Sequence, residues 1–123
     1  MASGKKKILV AEDEKVIANA LKLKLESAGF AVSVVYDGQE ALSAVEEGGL
    51  DLIILDLVMP KIDGFSFLET IKKKKVKTPV FVISNLSQGE DEKRARDLGA
   101  REYFTKSDIS LAEIVAKIKA DLK

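Results

Sequence analysis

Short apolar runs alternate with helical stripes along the whole chain. Residues 8–11, 31–35, 52–55, 80–83 and 101–104 read as strands, the last mixed in polarity and each too short for a buried helix. Between them, apolar positions recur at helical spacing: Ile17, Ala20, Leu21, Leu25 and Ala28, then Ala41, Leu42 and Val45, then Phe65, Phe67, Leu68 and Ile71. Gly29 and Gly48-Gly49 close the first two of these helices. A fourth helix, residues 90–98, is mostly charged, with Ala95 and Leu98 its clearest apolar positions, and is therefore expected to be thinly anchored. Ser110 and Glu113 form a capping box that opens a fifth helix with Leu111, Ile114, Val115 and Ile118 facing inward. Pro79 is expected at the first position of the fourth strand, where a missing N–H costs least.

Five strands alternating with five helices through short connections define an α/β domain: a doubly wound, five-stranded parallel sheet with helices on both faces. The order 2-1-3-4-5, a flavodoxin-like three-layer sandwich, suits this size. In that order strands one and three are neighbours, and their carboxyl ends flank the switch point where open sheets bind ligands. Asp56 ends the central apolar run, and Pro60 and Asp63-Gly64 then carry the chain through an ordered loop. Glu12 and Asp13 follow strand one, Ser84 with Asn85, Leu86 and Ser87 forms the exit of strand four, and Lys106 stands just beyond strand five. The expected fold brings all of these to one rim.

Composition narrows what that rim serves. Lys and Arg number 20 and Asp and Glu also 20, so no net field attracts nucleic acid or anionic lipid. The lysine runs at residues 5–7 and 72–75 read as a solvated strand entry and a dipole-matched helix end. Cysteine is absent, which excludes disulfides and thiol chemistry and agrees with a reducing, cytoplasmic setting. No apolar run approaches a membrane span. Histidine is absent too, so catalysis would rest on carboxylates, Lys, Ser or Tyr. Residues 1–4 read as a frayed end or cloning remnant, and 5–123 as one domain.

Each of these residues also has a plainer role open to it. Asp56 could simply cap its loop, Lys106 be a solvated charge and Ser84 a turn residue. A first-turn acid complements the helix dipole, which explains Glu14 but not three acids in succession. Together, however, three carboxylates packed at one rim raise one another's pKa unless a cation neutralises them. All-oxygen ligands in a small open site suit Mg²⁺. A metal, an ammonium and a hydroxyl around one carboxylate form a receptacle for a phosphoryl group, with Asp56 attacking in line.

The chain resembles the receiver domains of response regulators in two-component phosphorelay signalling, over essentially its whole length. The resemblance is carried by Glu12-Asp13, Asp56, Met59-Pro60, Asp63-Gly64, Ser84, Tyr103 and Lys106. It implies that Asp56 takes a phosphoryl group from the phosphohistidine of a histidine kinase or phosphotransfer protein. It further implies Mg²⁺ held by Asp13, Asp56 and the Val58 carbonyl, with Glu12 acting through water. Ser84 would hydrogen-bond the phosphoryl group, Lys106 would pair with it, and Tyr103 would turn inward as the switching aromatic, remodelling the face of helix four, strand five and helix five. The chain would be a phosphoacceptor that assists its own phosphotransfer and autodephosphorylation rather than an enzyme. Its partner would be a downstream protein or an output domain, with no direct contact to nucleic acid or membrane.

This sequence departs from the family pattern after the site lysine, where receivers usually have a cis proline and Ser107 stands here. Asn85 replaces the usual small residue and would screen the phosphoryl group or bond to it. Val58 and Leu86 frame the path of an attacking water without a group to position it, so slow self-dephosphorylation is expected. The alternative is a receiver-like module that docks without phosphate, although such a module would ordinarily have lost Asp56 or Lys106. A phosphohydrolase would need a second carboxylate where Val58 stands, and a flavodoxin-like carrier would need a phosphate-cradling loop after strand one.

Overall fold

The computed structural model describes residues 4–85 and 89–122. Along the chain it contains β1 (Lys7–Ala11), α1 (Lys15–Ser27), β2 (Ala31–Val35), α2 (Gly38–Glu47) and β3 (Leu52–Asp56). These are followed by α3 (Gly64–Lys73), β4 (Val80–Ser84), α4 (Glu90–Asp97), β5 (Glu102–Thr105) and α5 (Leu111–Asp121). The strands form one parallel sheet in the order β2-β1-β3-β4-β5, as the alternation of elements predicts.

The pleat sorts the core into two layers. Ile8, Val10, Leu52, Ile54, Phe81 and Ile83 pack beneath α1 and α5, against Leu21, Leu25, Ile114 and Ile118. Leu9, Ile53, Leu55, Val80 and Val82 face the other way, against Ala41, Phe67, Leu68 and Ile71 of α2 and α3. β3 and β4 are buried along their whole lengths, which is why they read as unbroken apolar runs. In α1 the buried face is Ala18, Leu21 and Leu25, while Ile17 and Ala20 are half-buried at its margin. α4 buries Ala95 alone and leans on α3 through the Arg94 guanidinium, 4.1 Å from the centre of the Phe65 ring.

Local chemistry starts the helices that approach the rim. Asp37 caps α2 by accepting from the Glu40 N–H at 2.8 Å, and Asp63 caps α3 by accepting from the Ser66 N–H at 2.9 Å. The Ser110–Glu113 capping box opens α5 as expected. Several boundaries differ from the sequence reading by a residue. Pro79 precedes β4 and joins the sheet through its carbonyl, which accepts from the Ile53 N–H at 3.0 Å. Ser84 is the last residue of β4 rather than part of its exit, and β5 lies one residue later than expected. Ser84 and Thr105 are register partners, and the Lys106 N–H donates to the Ser84 carbonyl at 2.9 Å, so the sheet ladder fixes where Lys106 begins. No helix among the described residues is long and apolar enough to cross a membrane.

Candidate phosphoryl-acceptor site

At the carboxyl ends of β1, β3 and β5, Lys106 gathers three carboxylates. Its Nζ lies 2.7 Å from Glu14 Oε1, 2.9 Å from Glu12 Oε1 and 3.1 Å from Asp56 Oδ2. Glu12 and Asp56 are buried, and the lysine side chain is only 9% exposed. Burial alone would depress the Lys106 pKa, but the carboxylates of Glu14, Glu12 and Asp56 outweigh it and hold the ammonium well above the ordinary lysine range. Burial pushes the Glu12 carboxyl up to about 7, with the Asp56 charge adding to the rise and Lys106 and the Glu14 N–H opposing it.

Asp56 is held at both oxygens: Oδ1 accepts from the Val58 N–H at 3.1 Å and Oδ2 from Lys106. It therefore caps its own loop and also faces the cleft, so the two roles open to it are not exclusive. Glu12 Oε2 accepts from the Glu14 N–H at 2.9 Å, folding the turn after β1. Its buried Oε1 makes an ion-pair contact with Lys106 at 2.9 Å but no hydrogen bond. Oxygens of Glu12, Asp13 and Asp56 lie within 4.8 Å of one another. Ligands ~2.1 Å from an octahedral Mg²⁺ stand ~3–4 Å apart, so this donor set fits a hard divalent cation once one ligand acts through water. The orphaned Glu12 oxygen suits that position.

Asp13, Glu14, Asp56, Val58, Asn85 and Lys106 line a cleft of about 290 Å³. The Val58 side chain, 56% exposed, stands at its mouth. Leu86 lies outside the described residues. Ser84, buried at the end of β4, makes a hydrogen bond with the Tyr103 side chain. Tyr103 is 8% exposed and already packed inward, where the sequence reading has it turn inward only on activation. Burial raises its pKa, with the Ser84 bond opposing and the charges of Asp91 and Glu92 adding. Among the described residues no peptide bond is cis, so the Lys106–Ser107 bond is trans.

The site thus brings Glu12, Asp13, Asp56 and Lys106 together, sets Val58 and Asn85 around them, and puts Ser84 and Tyr103 on the adjoining strands. Glu14, like Tyr103, departs from its sequence reading. Glu14 is the N-cap of α1, makes no capping hydrogen bond, and gives its carboxylate to Lys106 rather than to the helix dipole. The signal for it was the third consecutive acid.

A doubly wound sheet with this cluster at its switch point defines a class, and comparison with known proteins agrees. The sequence model of the response regulator receiver domain matches residues 8–119. A transcriptional regulatory protein of Bacillus subtilis, YkoG, is 36% identical over 116 residues, covering 94% of this chain and 50% of YkoG. The alkaline phosphatase synthesis transcriptional regulatory protein PhoP of the same organism is 36% identical over 118 residues, covering 96% of this chain and 49% of PhoP. The receiver domain of the Francisella response regulator 1452 superposes with a TM-score of 0.89 at 34% identity, over 94% of this chain and 95% of that one. The chain belongs to the response regulator receiver domain family of two-component signalling. It spans about half the length of the curated relatives it matches.

Proposed function

We propose that the chain is a phosphoryl-accepting switch that takes a phosphoryl group from a phosphohistidine onto Asp56. The observation that carries this reading is the convergence of one buried ammonium and a set of carboxylates on Asp56 at the mouth of an open cleft. The Asp56 oxygen forms a bond to phosphorus as the bond from phosphorus to the donor imidazole nitrogen breaks. The electron pair stays with the imidazole, which takes up a proton from water. With no histidine among these 123 residues, the donor imidazole comes from elsewhere, from a histidine kinase or a phosphotransfer protein. Asp13, Asp56 and the Val58 carbonyl would hold Mg²⁺, with Glu12 acting through water. Bound there, the ion supplies charge compensation for the oxygens of the transferring group.

Lys106 would pair with the phosphoryl oxygens and Ser84 would donate to one. Ser84 has a single hydroxyl proton, so giving it to the phosphoryl group would take it from Tyr103. That coupling, together with the slender anchoring of α4, would carry the change to the face of α4, β5 and α5. The chain is not an enzyme in its own right, assists its own phosphotransfer and dephosphorylation, and works in the cytoplasm. Its output passes to a downstream protein or to an output domain, since the relatives it half covers are transcriptional regulators. The test is intact mass after incubation with acetyl phosphate. One phosphoryl group gained with Mg²⁺ and none after chelation is expected; no gain in either, with beryllofluoride leaving the protein unchanged, would point to phosphate-independent docking.

The exposed valine at the cleft mouth yields a further prediction. Val58 cannot orient a water by side-chain hydrogen bonding, so the phosphorylated chain should lose phosphate slowly. Val58→Asn places an amide there and should speed the loss by roughly tenfold, below the ~10²-fold that a 1 Å change in placement can be worth. Phosphate release followed by intact mass would check this, and an unchanged rate would contradict it.

A further inference from the structure

The Lys106 ammonium donates to Glu14 and Asp56 and stands in ion-pair contact with Glu12, so three carboxylates surround it. An arriving phosphoryl oxygen competes with these carboxylates for the ammonium. Glu12 is fully buried, and Asp56 is the acceptor itself and 4% exposed. Glu14 is 53% exposed, so its carboxylate alone can swing into water and recover full hydration. It also makes the shortest contact, 2.7 Å, across 92 positions of sequence. Its placement is built in: the Glu12 carboxylate accepts the Glu14 N–H, and the extended backbone of Glu14 at the N-cap of α1 sends its side chain over the cleft toward the β5–α5 connection.

We infer that Glu14 is a positioning residue that holds the Lys106 ammonium in the unphosphorylated chain and yields it when a phosphoryl group arrives. The inference rests on Asp56 being the phosphoryl acceptor. The resting contact then competes with the phosphorylated state, and its strength sets how readily the site is filled. Removing it should favour the filled site by roughly two- to fivefold, the range of a half-exposed ion pair, and the gain should shrink as salt screens the contact.

The test is a double-mutant cycle on beryllofluoride affinity with Mg²⁺, using the parent chain, Glu14→Gln, Lys106→Met and the double variant. The rate of phosphoryl gain from acetyl phosphate is measured on the same four proteins, so the cycle closes even where binding to Lys106→Met is too weak to titrate. Glu14→Gln is expected to raise both quantities where Lys106 is present and to change neither where it is not. A purely structural role for Glu14 would not depend on Lys106. No change, or a fall, in the Lys106 background overturns the inference. An equal gain in both backgrounds also overturns it, leaving only repulsion between Glu14 and the incoming anion. Failure of the parent chain to bind beryllofluoride or take phosphate is a separate result that removes the acceptor reading, and this inference with it.

Discussion

Asp56→Asn should abolish phosphoryl gain from acetyl phosphate while leaving the fold intact. An amide oxygen is a far weaker nucleophile than a carboxylate, and it forms no stable acyl phosphate. The amide still keeps the local structure, because its oxygen can accept the Val58 N–H as Asp56 Oδ1 does now. The electrostatic changes oppose one another. The variant loses the Lys106 contact at 3.1 Å but also relieves repulsion from Glu12 and Asp13, whose oxygens crowd the same space. Removing one partner of a buried pair is ordinarily costly, yet here the remaining ammonium keeps Glu12 and Glu14. Stability without Mg²⁺ should therefore stay within about 1 kcal/mol of the parent, the scale of an ordinary single substitution. Thermal melting in chelator checks that half of the prediction and intact mass the other half. Phosphoryl gain persisting in a folded Asp56→Asn protein would place the acceptor elsewhere.

Much of this site was legible in the sequence because it depends on strand order, and strand order follows from alternation and short connections. Once β1 and β3 are neighbours, Glu12, Asp13 and Asp56 must meet, whatever their rotamers. The boundary errors are small, and the one at Ser84 has a clear cause. Where polarity changes gradually, as from Ile83 through Ser84 to Asn85, the strand ends when its ladder partners end, and Ser84 is carried by Thr105. Individual side-chain contacts were not legible. The reach of Glu14 to Lys106 depends on a turn folded by the Glu12 carboxylate, and the inward seat of Tyr103 depends on Ser84 being buried beside it. Neither leaves a periodic trace. The glycines at residues 38 and 64 mark places where two backbones touch, and no hydrophobic pattern records that.

Those two contacts underlie the second large effect: Gly64→Ala and Gly38→Ala should impair the site by shifting the loop that follows Asp56. A Cβ at residue 64 would stand 2.6 Å from Leu57 Cα and 2.9 Å from the Asp56 carbonyl oxygen, and the Gly64 N–H already donates to the Leu57 carbonyl at 2.9 Å. At residue 38 the Cβ would meet the Ile62 carbonyl oxygen, where the loop is seated on the start of α2. The Gly38 N–H donates to the Pro60 carbonyl there, and Lys61, left-handed at φ 69°, sets its ammonium 3.5 Å from Asp37. In both cases the nearest atoms are backbone, so no side-chain rotation relieves the overlap. Each substitution should cost about 1–3 kcal/mol, toward the upper end for that reason. The displaced loop carries Val58, which anchors Asp56 Oδ1, so a shift of this size should slow phosphoryl gain by about tenfold to a hundredfold. Gly48→Ala separates this effect from simple destabilisation. Gly48 has φ +79° and ψ −177° with open space around it, a conformation that favours glycine, so the variant carries a backbone strain of about 1–3 kcal/mol at the far end of α2. Its folded fraction should take phosphate at the parent rate, and equal slowing in all three variants would show that lost stability, not loop position, governs the rate.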